Sequence, residues 1–234
     1  MGKKNTGALT DSLKVLERTK NYNRWIYDNI KDYAGNNILE IGCGTGNNTD
    51  MLLKSGAKIT GIEIDRKYYD CAAAKYKKNK NVKIIHADFL KTNKLKKNFF
   101  DTVIMLNVLE HIKNDSAAVK KIHSLLKKGG RFINLAPAMR FACGRLDKEL
   151  GHYRRYEKKD IRRLLKKNGF SAEKIFYMNI IGAAAWWANK NRRGFPSSSP
   201  VIFDKFFVPV LKPAEKILRP LVFMGQSIIS VAKK

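Results

Sequence analysis

The chain has 234 residues, 44% of them hydrophobic, and carries a formal net charge of +27. Length and apolar content suffice for one α/β domain with a proper core and exclude a disordered chain. Three scattered cysteines (Cys43, Cys71, Cys143) without a C-x-x-C pair exclude a disulfide framework and a zinc ribbon, and no run reaches the ~18 apolar residues of a membrane span. No apolar stretch follows Met1-Gly2-Lys3-Lys4, so no signal peptide is expected and the reading is cytoplasmic. The lysines are spread along the whole length. Biased composition explains them first, an anionic membrane surface second and nucleic acid third.

Residues 1–35 read as a helical lead-in. Tyr22, Ile26, Ile30 and Tyr33 recur at helical spacing beside Trp25, and Gly35-Asn36 ends the run. This helix either packs on the core or covers a ligand. Ile38 to Ile41 is a first strand, which runs straight into Gly42, Gly44 and Gly46 and then a polar helix start near Thr49. Strand, tight glycine turn and helix is the geometry that lets a backbone touch a nucleoside cofactor. No Lys-Ser or Lys-Thr pair follows, so this is not a P-loop, and the spacing G-x-G-x-G is not the dinucleotide fingerprint. Glu40, two residues before the first glycine, would repel a pyrophosphate and suit a cationic amino-acid moiety.

Lys58 to Asp65 is a second strand. Glu63 follows Gly46 by one crossover helix and a return strand, where a carboxylate can accept both ribose hydroxyls. Loop and carboxylates together suit S-adenosylmethionine, with Glu40, Gly42, Cys43, Gly44, Gly46, Glu63 and Ile64 at the cofactor. Further strands are expected at Val82–Ile85, Asp101–Leu106, Arg131–Leu135, Ala172–Met178 and Ser227–Ala232. Helices are expected over 116–127, stopped by Gly129-Gly130, and over Lys158–Lys167, capped by Gly169. The alternation gives a Rossmann-like, doubly wound, mainly parallel seven-stranded sheet in a single domain over residues 1–234. The irregular stretches are 136–157 and 179–222, both expected on the ligand side.

The glycine loop, Glu63, Ala87-Asp88-Phe89 and Phe100-Asp101 through Asn107-Val108-Leu109-Glu110-His111 stand in an order that resembles the class I S-adenosylmethionine-dependent methyltransferases. The resemblance implies that Asp88 accepts from the adenine amino group, that Phe89 lies against the ring, and that Asn107 and Val108 lie near the methionine end. Asn21 to Tyr27, Leu109-Glu110-His111-Ile112, Leu146-Asp147 and Gly151-His152-Tyr153-Arg154-Arg155-Tyr156 resemble a bacterial subgroup often found beside or fused to glycosyltransferases. His111 and His152 are the available bases for a hydroxyl acceptor. Glu110-His111 also resembles a metal-binding Glu-His pair of quinone-biosynthesis and small-RNA O-methyltransferases. Those carry another glutamate where Asn107 stands here, so no metal is expected.

Arg154 and Arg155 are candidates for gripping a phosphate or carboxylate. Leu106-Asn107-Val108-Leu109 is not the Asn/Asp-Pro-Pro-aromatic stretch of base amino-group methylation. Trp186, Trp187 and the apolar run 201–211, followed by Lys212, Lys216 and Arg219, read as a lid, a membrane-interface segment or a dimer contact. The expected activity is O-methylation of a small or lipid-linked saccharide acceptor, in the cytoplasm or at the inner membrane face. RNA methylation and a non-catalytic S-adenosylmethionine-binding module are the alternatives. Oligomeric state is left open.

Overall fold

The computed structural model describes residues 18–192, 199–219 and 222–234. The expected lead-in therefore lies outside the described residues up to position 17. Seven strands form one sheet: β1 (Asn37–Ile41), β2 (Lys58–Glu63), β3 (Val82–His86), β4 (Phe100–Leu106), β5 (Leu126–Pro137), β6 (Ser171–Met178) and β7 (Ser227–Lys233). Their order is β3-β2-β1-β4-β5-β7-β6, with β1 to β5 parallel and β7 antiparallel to both its neighbours. The described helices are α1 (Lys20–Ile30), α2 (Asn47–Leu52), α3 (Arg66–Tyr76), α4 (Asp115–Leu125), α5 (Arg145–Leu150), α6 (Lys158–Lys167), α7 (Ile180–Asn189), α8 (Ser199–Phe206) and α9 (Val208–Leu218).

Parallel strands covered on both faces need apolar side chains in both directions, hence Ile38, Leu39 and Ile41 in β1 and Val103, Ile104, Met105 and Leu106 in β4. On one face Leu39, Met105 and Phe132 pack with Val119 and Ile122 of α4. On the other Ile38, Ile104 and Ile133 pack with Trp25, Ile26 and Ile30 of α1. Each such side chain contributes roughly 1.5–3 kcal/mol on full burial. The aromatics of α1 are therefore core, not lid.

Two expectations change. Gly129-Gly130 does not stop α4, which ends at Leu125; the pair lies inside β5. The register between β4 and β5 shifts from Phe100↔Leu126 to Thr102↔Arg131, and Gly129, at φ +78°, absorbs that irregularity. The described residues of the stretch 179–222 are mostly helical. Asn179 caps α7, its Oδ1 accepting from Gly182 N at 2.8 Å. Pro209 enters α9 in its first turn, where a missing N–H costs nothing. Helices α8 and α9 lie on α1: Asp204 accepts from Tyr22 N at 2.6 Å, and Lys212 pairs with Asp28.

From β1 the chain turns to β2 and β3 on one side and returns to β4 on the other. The tips of β1 and β4 thus flank the switch point, where open α/β sheets hold ligands.

Candidate functional site

The loop after β1 is drawn tight against β2. Backbone N–H groups of Gly42 and Cys43 both donate to Ile62 O, at 2.8 and 3.1 Å. Gly42 has φ +73°, and a Cβ there would stand 2.5 Å from Val108 Cγ2. Gly44 has φ +56°, and a Cβ there would meet nothing within 4 Å. The first glycine lets the tip of β4 close on the loop; the second faces open space at the switch point. Gly46 opens α2, and its carbonyl accepts from Tyr76 Oη at 2.7 Å. Cys43 is buried, burial pushes its thiol well above the ordinary range, and its carbonyl accepts from Gly46 N at 2.9 Å.

Both predicted carboxylates stand at this loop. Glu63 accepts from Gly44 N through Oε2 and from Ile64 N and Asp65 N through Oε1, each at 2.9 Å. Ile64 beside it is exposed, an apolar face at the tip of β2. Glu40 is buried; Oε2 accepts from Thr49 Oγ1 at 2.5 Å and Oε1 has no partner. Burial pushes Glu40 up to about 8; Thr49 opposes this, and Glu63 and Asp50 add to it.

Asp88 terminates the turn after β3, accepting from Leu90 N at 2.8 Å. Phe89 is buried in the core with the Lys121 ammonium 5.3 Å from its ring centroid, so the ring expected against the adenine is part of the core packing. Asn107 takes φ +54° at the tip of β4 and hands the chain to Val108, the residue against Gly42.

Directly after Val108, Leu109–His111 form a 3₁₀ turn. The rings of His111 and His152 meet edge to face at 4.8 Å. His152 Nδ1 lies 2.8 Å from Asp147 Oδ1, and His111 Nδ1 lies 3.3 Å from Gly151 O. A carboxylate on Nδ1 fixes the tautomer that leaves the His152 lone pair on Nε2. Asp147 also accepts from Arg155 Nε at 2.8 Å and from Trp186 Nε1 at 3.4 Å. Burial alone would raise its pKa; His152 and Arg155 hold it below the ordinary value.

Two residues outside the predicted site stand in it. Asp147, named in the sequence only as part of a subgroup motif, positions His152, and Glu110 is set aside there with the metal. Glu110 is fully buried and neither of its carboxylate oxygens has a hydrogen-bond partner; burial pushes it up to about 8. Ligand atoms of Glu110, His111 and His152 lie within 4.8 Å of one another. The reading of Arg154 and Arg155 as an anion grip is corrected. Arg154 pairs with Asp115 at 2.6 Å, and buried Arg155 is committed to Asp147 and to the Trp186 ring. A cleft of about 580 Å³ nearby is lined by Asp115, Arg140, Cys143, Arg154 and Tyr156 among others, a volume of small-ligand size.

This fold, with a glycine loop and two carboxylates at the switch point, is that of the class I S-adenosylmethionine-dependent methyltransferases. Residues 39–134 match the methyltransferase domain family, and solved proteins of this fold are known in complex with S-adenosylmethionine or S-adenosylhomocysteine. An uncharacterised methyltransferase of Bacillus cytotoxicus is 34% identical over 110 residues. That match covers 46% of this chain and about half the length of the relative, 50%. A SAM-dependent methyltransferase from Archaeoglobus fulgidus superposes with a TM-score of 0.60 at 16% identity, over 91% of this chain and 94% of that one. Phosphoethanolamine N-methyltransferase 2 of Haemonchus contortus, solved with S-adenosyl-L-methionine, gives 0.60 at 16% identity over 86% of this chain and 49% of that one. Among the described residues no helix is long and apolar enough to cross a membrane.

Proposed function

We propose that the chain transfers the methyl group of S-adenosylmethionine to an oxygen of a small or lipid-linked acceptor, with a saccharide as the favoured kind. The Asp147–His152 pair against His111 carries this reading, because an oxygen acceptor must lose a proton and a neutral amine need not. In this assignment Glu40, Gly42, Cys43, Gly44, Gly46, Glu63 and Ile64 hold the methionine and ribose. Asp88 and the Phe89 backbone hold the adenine, while Asn107 and Val108 border the sulfonium. The acceptor oxygen attacks the methyl carbon in line, and the carbon–sulfur bond breaks with its electron pair staying on sulfur. The products are the methyl ether and S-adenosylhomocysteine, and His152 Nε2 takes the proton. The sulfonium is already activated, so the protein mainly contributes approach and orientation.

The test is methyl transfer from labelled S-adenosylmethionine to polyprenyl-linked saccharide, with RNA as the competing acceptor. His152→Ala is expected to lower turnover roughly 100-fold, with His111→Ala also impaired. Cofactor affinity should stay within about threefold, since neither ring is assigned to the cofactor. Label entering RNA alone, or turnover unchanged in both variants, contradicts the proposal.

A second reading rests on Glu110. A buried carboxylate without partners beside two imidazoles has the donor set of a two-histidine, one-carboxylate metal site. A divalent cation there would supply Lewis-acid chemistry at the acceptor oxygen. Activity lost to chelator and restored by manganese or zinc favours it; activity indifferent to chelator removes it.

A further inference from the structure

Residues 180–223 contain seven lysines and arginines but only two acids, Asp204 and Glu215. Both acids are buried and turned inward. Asp204 accepts from Asn21 N and Tyr22 N at the start of α1, and Glu215 from Asn179 N and Ile180 N at the start of α7. The described outer surface of α7 to α9 is therefore apolar and cationic. Phe206 is 62% exposed, Val210 69% and Ile217 78%, with exposed Lys205 and Lys216 interleaved. Val210 and Ile217 stand seven residues apart on one stripe of α9, with exposed Pro213 between them. Large apolar side chains together on a surface mark an interaction site rather than ordinary scatter.

We infer that α8 and α9, with Trp187 of α7, form a docking face for an anionic lipid bilayer. The occupant follows from charge. A helix face rich in Phe, Val and Ile, edged by lysine and stripped of acids, matches the interfacial geometry: side chains at the acyl boundary, ammonium groups among anionic headgroups. A protein partner would need compensating acids, whereas a bilayer supplies a continuous negative surface. The two tryptophans part company here. Trp187 is 54% exposed, while Trp186 turns inward, its ring 4.6 Å from the Arg155 guanidinium and its indole N–H on Asp147. One turn of α7 thus links the docking face to the group that positions His152. An acceptor anchored in the same bilayer would be presented to His152 along α7; this last step rests on the lipid-linked reading above.

Flotation of the full chain with vesicles separates the possibilities. Phosphatidylglycerol–phosphatidylcholine vesicles should carry the protein at low salt, and pure phosphatidylcholine vesicles should not. Val210→Asp with Ile217→Asp should cut partitioning by at least about tenfold, and Lys205→Glu with Lys216→Glu should do so and flatten the salt dependence. These side chains are exposed, so both variants should bind S-adenosylhomocysteine as wild type does. Trp187→Ala should weaken partitioning, whereas Trp186→Ala should not act through the bilayer. No binding to anionic vesicles, equal binding to neutral ones, or self-association that both aspartates abolish would overturn the inference. Tight RNA binding that the lysine reversals abolish, without vesicle binding, would reassign the face to nucleic acid. S-adenosylhomocysteine binding on the same samples tests the methyltransferase reading separately, so the two can fail independently.

Discussion

Glu63→Ala is expected to weaken S-adenosylmethionine binding roughly 100-fold, since bonds to a charged acceptor are worth about 1.5–3 kcal/mol and more than one is lost. Two effects combine. The ribose hydroxyls lose their carboxylate, and the N–H groups of Gly44, Ile64 and Asp65 lose the acceptor that orients the loop. Glu63→Gln should recover little of the affinity. Its single carbonyl oxygen can serve Gly44 N or the Ile64 and Asp65 pair, and its amide then points a donor at the other. Calorimetry gives the affinities, and circular dichroism verifies the fold. Wild-type affinity in a folded Glu63→Ala protein would mean that the ribose lies elsewhere.

Glu40→Gln is expected to raise stability at alkaline pH while lowering cofactor affinity about tenfold, the loss of one charge-assisted contact. Glu40 titrates near 8 in the folded protein because burial disfavours its charge, against an ordinary value near 4.5. Between those values the folded state binds the proton that the unfolded state has released, so stability falls as pH rises from about 4.5 toward 8. The slope approaches 1.4 kcal/mol per pH unit, and the whole effect is on the order of a few kcal/mol. Glutamine keeps an acceptor for Thr49 and never ionises. The Tm of Glu40→Gln should therefore exceed that of wild type at pH 9 and approach it at pH 5. Glu110 is raised in the same way, so part of the pH slope persists in the variant. Equal melting at pH 9, or unaltered affinity, would contradict the placement of Glu40 under the methionine amino group.

The central strands were legible because parallel strands buried on both faces are rich in apolar residues, and the edge strands β3 and β6 from shorter apolar stretches between turn signals. The antiparallel insertion of β7 between β5 and β6 left no local trace; pairing order is a property of the whole sheet. Helix α3 was easy to pass over, since only Tyr68, Ala72 and Tyr76 of its side chains are buried. Helices α7 to α9 were masked by Gly182, Pro209 and Pro213, although Asn179 caps the first and Pro209 suits the start of the last. At the site, the glycine loop and Glu63 were readable because a tight strand–turn–helix and its return strand leave a local pattern of residue types. The state of Glu110 was not: the sequence showed it as half of a metal-type Glu-His pair lacking its second glutamate at Asn107, whereas its full burial depends on distant segments, among them the one whose Tyr153 N donates to Glu110 O at 2.8 Å. The pairing of His152 with Asp147 likewise depends on α5 folding back.

Titration of the purified chain with S-adenosylmethionine and S-adenosylhomocysteine in a calorimeter tests the central claim most directly. One molar equivalent should bind with micromolar affinity, about −8 kcal/mol, and Gly44→Val, which puts a branched side chain at the open face of the loop, should abolish the signal. No heat at millimolar ligand from a folded protein would contradict the claim and leave a methyltransferase-like fold that has lost its cofactor.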